Sequence, residues 1–174
     1  MDAEKMSNGV AEHNRTAARR WIDAFNARDD AQEAAARTAD YVAHAPDSIQ
    51  AEALDSDGWV EFLGVFLQGF PDLHLEVLAS SADERMVAQR ILFTGTHTGS
   101  FRGLPPTNRR VHFSGLEINR MVDGKVAEHW LHMDAVTLFE QLGLRVVPGP
   151  RLLPRLLVSP VTRLLAKRRR TVSS

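Results

Sequence analysis

The fold is decided by residues 95–143, GTHTGSFRGLPPTNRRVHFSGLEINRMVDGKVAEHWLHMDAVTLFEQLG. The stretch reads as a strand end, a loop, a strand, a tight turn, a strand and a helix. Residues 110–122 and 125–133 alternate with the period of a strand. Asp123-Gly124 between them is the signature of a type I′ hairpin turn, whose two central residues need positive φ. Gly99 to Arg109 is a longer loop carrying Gly103 and Pro105-Pro106. Asp134 to Leu142 has the pattern of a short helix, with Gly143 at its C′ position.

Upstream, residues 85–97 predict a further strand, and Leu73, Leu75 and Val77 alternate with His74 and Glu76. Before Pro71 the period is helical. Val10, Ala17, Trp21, Ala24 and Phe25 mark an amphipathic helix from about Gly9 to Arg28. Residues 29–39 predict a second helix, capped by Asp29 or Asp30. A third opens at Asp55 or Ser56, presents Trp59, Phe62, Leu63 and Phe66, and stops at Gly69-Phe70-Pro71. Tyr41 to His44 reads as a short strand ended by Pro46. Helices first and antiparallel strands afterwards predict an α+β fold with the helices packed over one sheet.

The chain has 174 residues, 44% of them hydrophobic and 25% charged, which suits one globular domain with a tail. Its expected parts are a flexible N-terminus over 1–8, a domain over 9–144, and a basic, Leu/Pro-rich tail over 145–174. The absence of cysteine excludes disulfides, thiolate catalysis and cysteine-ligated metals. No basic start followed by an apolar run suggests a secretory signal, and no apolar run spans a membrane, so a cytoplasmic location is expected. From Arg145 onward there are eight basic residues and no acidic ones. Residues 1–144 carry 13 basic against 22 acidic residues, a net charge of −9. An acidic body gives no encouragement to nucleic-acid binding. In the tail, Pro148, Pro150, Pro154 and Pro160 forbid one long helix. Its leucines are expected to pack on the domain or across a dimer, with weak contact to anionic lipid as the alternative.

Candidate chemistry gathers on the last strands. Alternation puts Glu128, Trp130, His132 and Asp134 on one face of residues 125–133, expected to face a pocket. Partial desolvation beside Trp130 would raise the Asp134 pKa toward neutrality. Asp134 is equally placed as the N-cap of the terminal helix. His129 is then expected to be a surface or interface residue, and His112, between Val111 and Phe113, to point outside. His97 has two readings, a rim residue orienting substrate or a ligand of loop backbone, and His44 faces the same choice. Arg90, Glu117 and Arg120 offer an arginine–carboxylate anchor inside the pocket or a solvated cross-strand pair. The H-x-x-H spacing of His129 and His132 diverges on a strand, and no HExxH motif is present, so no metal is expected.

GTHTGSFRGLPPTNRRV, NRMVDGKVAEHW and DAVTLFEQLG, with the earlier WIDAFNARD and YVAHAPD, resemble the SnoaL-like polyketide cyclase (ester cyclase) family over roughly residues 10–143. The resemblance implies the cone-shaped fold of nuclear transport factor and ketosteroid isomerase relatives. In that fold a curved antiparallel sheet is wrapped by N-terminal helices around a deep pocket, usually in a homodimer. It also implies ring closure by intramolecular aldol condensation without metal or cofactor. An aspartate at the end of the sheet would serve as acid/base, and the matching position is Asp134. His132 or His97 would then steady the oxyanion. His44, Trp130, Arg90, Glu117, Trp59 and Phe66 would contact a small lipophilic or polyketide-like substrate. The chain departs from the family pattern at Asn108, where glycine is usual, and in the basic tail. The alternatives are an isomerase, a dehydratase, an epoxide hydrolase built on Arg90, Asp134 and Glu117, or a non-catalytic binder of a lipophilic ligand. Steroid-isomerase-like work wants a phenol donor, and Tyr41 is the only tyrosine.

Overall fold

The computed structural model describes residues 2–46 and 50–145, with side chains from Met6 onward. The expected tail lies outside the described residues except for Arg145. Four helices and five strands follow in order: α1 Asp2–Ala27, α2 Asp30–Ala35, β1 Arg37–His44, α3 Ser56–Gly69, β2 His74–Ala82, β3 Met86–Thr96, β4 Arg110–Val122, β5 Lys125–Met133 and α4 Ala135–Leu142. The strands form one open sheet in the order β1-β5-β4-β3-β2. No helix among the described residues is long and apolar enough to cross a membrane.

Local chemistry explains most boundaries. Asp123 and Gly124 take φ of 49° and 72°, as the type I′ turn between β4 and β5 requires. Asp55 caps α3 through the amide of Gly58, and Asp29 caps α2 through the amide of Gln32. Gly143 ends α4 at φ 99°. Asn108 takes φ 56° in the loop before β4. Glycine adopts that conformation freely and asparagine tolerates it, so this departure from the family pattern preserves the backbone.

Three features differ from the sequence reading. Helix α1 extends back to Asp2 rather than opening near Gly9. Helix α2 ends at Ala35, and Arg37 to Ala39 belong to β1. There Arg37 pairs with Val126, and the Val126 amide donates to the Ala36 carbonyl (2.9 Å). Backbone pairing at the sheet edge overrides the helix propensity of the alanines. The pairing of β1 with β5 is parallel, so the sheet is mixed rather than wholly antiparallel.

One face of the sheet is covered by helices. On β4 the burial alternates strictly, with Val111, Phe113, Gly115, Glu117, Asn119 and Met121 buried on the inner face. Helix α1 lies across that face with Ala18, Trp21, Ile22 and Phe25 buried, and α3 adds Trp59, Phe62 and Phe66. Two asparagines fasten α1. Asn26 donates to the Leu75 carbonyl (2.8 Å) and accepts from the Leu75 amide (2.9 Å), acting as a strand partner for edge strand β2. Asn14 donates to the carbonyls of Asp83 and Glu84 in the β2–β3 turn (3.2 and 3.0 Å).

The loop after β3 is held just as tightly. The amides of Thr98 and Gly99 both donate to the Gly69 carbonyl at the end of α3 (3.1 Å each). A side chain on Gly99 would run into the Gln68 carbonyl oxygen. Gly99→Ala is therefore expected to lower stability by about 2 kcal/mol or more, because the obstacle is backbone and cannot swing away. Chemical denaturation of the two proteins checks this.

Candidate active site

Glu117 and Asn119 are neighbours on the inner face of β4, and Asn119 stands opposite His129 on β5. Both polar β4 side chains are buried with the apolar ones around them, so they must satisfy one another. His129 Nδ1 donates to Asn119 Oδ1 (2.7 Å), and Asn119 Nδ2 donates to Glu117 Oε1 (3.1 Å). The direction follows from donor chemistry. The amide nitrogen of Asn119 faces Glu117 and its amide oxygen, which can only accept, faces the imidazole. His129 then carries its proton on Nδ1. Its Nε2 is a bare acceptor with no hydrogen-bond partner among the described residues.

This row looks into a cavity beneath α1 and α3. Trp21, Trp59, Phe62, Phe66, Phe93 and Leu131 form much of its wall, and Glu33, Glu117 and His129 are its polar groups. It holds about 520 Å³ of unfilled space, the solvent at its mouth included. Trp21 and Trp59 meet the His129 ring edge-on, with centroids 5.0 and 4.9 Å away. The indole N–H groups of both tryptophans are buried and lie near the Glu33 carboxyl, favouring its ionised form, but neither makes a well-formed hydrogen bond.

Desolvation dominates the electrostatics. Burial pushes the Glu117 carboxyl up to about 7, against the opposing bond from Asn119. Burial pushes the His129 imidazole down to about 3, helped by the charge of His44, so this ring is neutral near pH 7. Burial also raises Glu33, outweighing the nearby charge of Arg37 and the indole N–H groups of Trp21 and Trp59.

Trp59, Phe66 and Glu117 line the cavity. The remaining candidates do not. Residues 130, 132 and 134 face away from it, because the inner residues of β5 are His129, Leu131 and Met133. Trp130 stacks on His44 on the outer face (centroids 5.3 Å, 8° between planes). His132 is exposed. His129, expected at the surface, is one of the most buried side chains. Asp134 is exposed and caps α4, its two oxygens accepting from the Thr137 amide (2.9 Å) and hydroxyl (2.6 Å). Those bonds hold its carboxyl below the usual carboxylate range, the reverse of the expected rise.

His97 is fully buried but belongs to the loop. Its Nδ1 accepts from the Thr107 amide (3.2 Å) and lies 3.0 Å from the Thr107 hydroxyl, and Phe70 lies beside its ring. Arg90 is exposed on the outer face, in register with Leu116, whereas Glu117 is in register with Gln89. Arg90, Asp134 and Glu117 therefore do not converge, which removes the geometry an epoxide hydrolase would need. The ion pairs formed here are external: Glu128 accepts from Arg120 (3.1 Å) and sits 3.0 Å from His44.

Asn119, His129, Trp21 and Glu33 were not anticipated as site residues. One signal was available. Once Val111 and Phe113 are placed inside, strand parity carries Glu117 and Asn119 inside with them.

Comparison with known proteins agrees with this architecture. A model of the SnoaL-like polyketide cyclase family matches residues 15–142. The aklanonic acid methyl ester cyclases DauD of Streptomyces sp. (strain C5) and DnrD of Streptomyces peucetius are each 35% identical over 74 residues. Those matches cover 41% of this chain and 45% and 50% of the relatives, so the matched region spans about half their length. Among solved structures, AclR from Streptomyces galilaeus, provisionally described as a hydroxylase, is 33% identical with a TM-score of 0.69, covering 76% of this chain and 97% of that one. IdmH from Streptomyces antibioticus, provisionally described as a polyketide cyclase, is 29% identical with a TM-score of 0.70, covering 75% and 99%. The chain belongs to the SnoaL-like polyketide cyclase family.

Proposed function

We propose that this chain is a cofactor-independent cyclase that closes a ring in a polyketide-type ester by intramolecular aldol condensation. The observation that carries the reading is Glu117, a fully buried cavity carboxyl with its pKa raised to about 7. A proton acceptor matched to the working pH is what abstraction from a carbon between two carbonyl groups requires. In the forward step the Glu117 carboxylate takes that proton. The resulting enolate carbon attacks a ketone carbon of the same molecule, forming the C–C bond, and the new alkoxide takes the proton back from Glu117. No atom is lost or gained. His129 Nε2 accepts a hydrogen bond from a substrate hydroxyl and orients it, since Asn119 fixes its tautomer. The indole N–H groups of Trp21 and Trp59, which lie near the Glu33 carboxyl without a well-formed hydrogen bond to it, are the donors that could turn to a developing oxyanion. The apolar walls fold the chain so that the reacting carbons meet.

Asp134 was the expected acid/base. Its outward position and lowered pKa favour a capping role, and this reading moves the proton chemistry to Glu117. A homodimer completes the reading, supported by the outer face of β4, where Leu116 and Ile118 are exposed.

Turnover of aklanonic acid methyl ester, the compound in the names of the two curated relatives, separates the two carboxyls. Glu117→Gln is expected to lower kcat by roughly 10²-fold or more with KM little changed. Asp134→Asn should keep kcat within about threefold, and asparagine, an equally good N-cap, should hold the start of α4 through its amide oxygen. A fully active Glu117→Gln protein would end this assignment.

A stability measurement tests the buried carboxyl without substrate. The folded pKa of Glu117 lies above its unfolded value, so its contribution is fully present below about 4.5 and is lost as pH rises through about 7. Glu117→Gln should therefore gain on the wild type by about 3 kcal/mol between pH 4 and pH 8. Parallel denaturation curves across that range would show it, and a constant difference would contradict the raised pKa.

A further inference from the structure

The two asparagines that fasten α1 are twelve residues apart, and the helix between them does not close on the sheet. Asn14 holds the β2–β3 turn and Asn26 holds Leu75. The intervening turns stand over a recess with about 750 Å³ of open space, the solvent at its mouth included. Gln89 of β3 and its register partner Ser80 of β2 are the polar residues on the sheet side, and Arg15, Arg19 and Arg20 line the helix side. Where β2 passes the recess, its pairing with β3 slips between Val77 and Ala79. The recess shares no lining residue with the inner cavity.

Gln89 is only 2% exposed, yet neither its Nε2 nor its Oε1 has a hydrogen-bond partner among the described residues. The Ser80 hydroxyl and Arg15 Nε, in the same recess, are also buried and unpartnered. Leaving a buried amide without either bond is costly, and an apolar side chain of similar size would avoid the cost. Asn14 and Asn26 show how the same junction of helix and sheet satisfies amides that serve structure alone.

The unmet groups describe a ligand. Gln89 Nε2 and Arg15 Nε need acceptors, Gln89 Oε1 needs a donor, and the Ser80 hydroxyl takes either. On the rim three guanidiniums stand against two carboxylates, Glu12 and Asp23. Glu12 pairs with Arg15 (2.7 Å) and Asp23 with Arg19 (3.3 Å), both at the surface, where such pairs are weak and readily exchanged. Arg20 pairs with no carboxylate among the described residues. The excess is of cations and donors, which anionic oxygens meet, and a hydroxyl on the same molecule meets the lone acceptor. Guanidiniums one helical turn apart approach an anion from more than one side, which suits a tetrahedral phosphate better than a planar carboxylate.

We propose that this recess is a second ligand site, outside the cavity, that takes a phosphorylated sugar. Its phosphate lies against the arginines of α1 and a sugar hydroxyl meets the Gln89 carboxamide. The site is independent of the reaction assigned to Glu117.

The test titrates the full chain with ribose 5-phosphate, ribose and inorganic phosphate, with affinities from calorimetry and the Gln89 side-chain amide and indole N–H signals followed by NMR. Ribose 5-phosphate is expected to bind at least about tenfold tighter than either fragment and to move the Gln89 signals. Gln89→Leu removes the buried unpartnered amide, so it should fold at least as stably as the wild type and bind ribose 5-phosphate about tenfold or more weakly. Arg15→Gln combined with Arg20→Gln should bring ribose 5-phosphate within about threefold of ribose. Ser80→Ala, expected to weaken binding about threefold, guards against a Gln89→Leu protein that fails to fold. No detectable binding of ribose 5-phosphate, or an affinity no better than that of inorganic phosphate, would overturn the proposal. So would undiminished binding in a folded Gln89→Leu protein or, should that variant not fold, in Ser80→Ala. Shifts of the Trp21 and Trp59 signals in place of Gln89 would likewise move the ligand to the inner cavity and end it.

Discussion

The site depends on α1 staying laid across the inner face of the sheet. Strand β2 is an edge, and edges leave backbone groups without strand partners. Asn26 fills that gap at Leu75 with both halves of its amide, and Asn14 repeats the anchoring at the β2–β3 turn. The helix so fixed puts Trp21, Ile22 and Phe25 over the cavity. Their packing removes water from Glu117 and His129, and desolvation is the largest cause of both pKa shifts. An amide clamp at the rim of the sheet therefore helps to set the acid strength of a carboxyl at its centre.

Much of the architecture was legible in the sequence because local chemistry decided it. Asp123-Gly124 could hardly serve as anything but a hairpin turn, and Gly143 needed its positive φ. The period of residues 110–122 carried through to strict alternation in β4. The facing of β5 was not legible. Its run Glu128-His-Trp-Leu-His-Met places polar and apolar side chains on both faces, and a register irregularity beside Met121 leaves Val126 and Ala127 both buried. Ranking by hydrophobicity then sends Trp130 inward and His129 outward. The ranking fails because His129 is satisfied by Asn119, ten residues away in sequence and visible as its partner only once the register is known. Edge pairing misled the reading of Arg37 in the same manner, since a partner from β5 turned the end of an alanine-rich helix into a strand.

Family membership does not by itself choose the reaction. Relatives described as cyclases and one described as a hydroxylase share this framework at similar identity. What distinguishes members must be the few polar groups in an otherwise apolar cavity. Here these are the carboxyls of Glu117 and Glu33, the His129 imidazole and two indole N–H groups. That set can move a proton and hold an oxyanion. An aldol closure needs no more where the hydrogen to be removed lies between two carbonyl groups and is already acidic.

Glu117 and Asp134 show how one functional group is divided between two tasks by its surroundings. Asp134 spends both oxygens on Thr137 at the start of α4, and each bond favours the ionised form. A carboxylate stabilised in that way is a poor base, because basicity is what the capping bonds remove. Glu117 has one bond from an amide and otherwise apolar surroundings, so its ionised form is poorly supported and readily takes a proton. A single residue could not serve well in both places. The conditions that make a good helix cap lower the pKa, and those that make a good base at neutral pH raise it. The chain separates the two environments by position, with the capping carboxyl exposed at the start of α4 and the carboxyl of raised pKa on the buried face two strands in from the sheet edge.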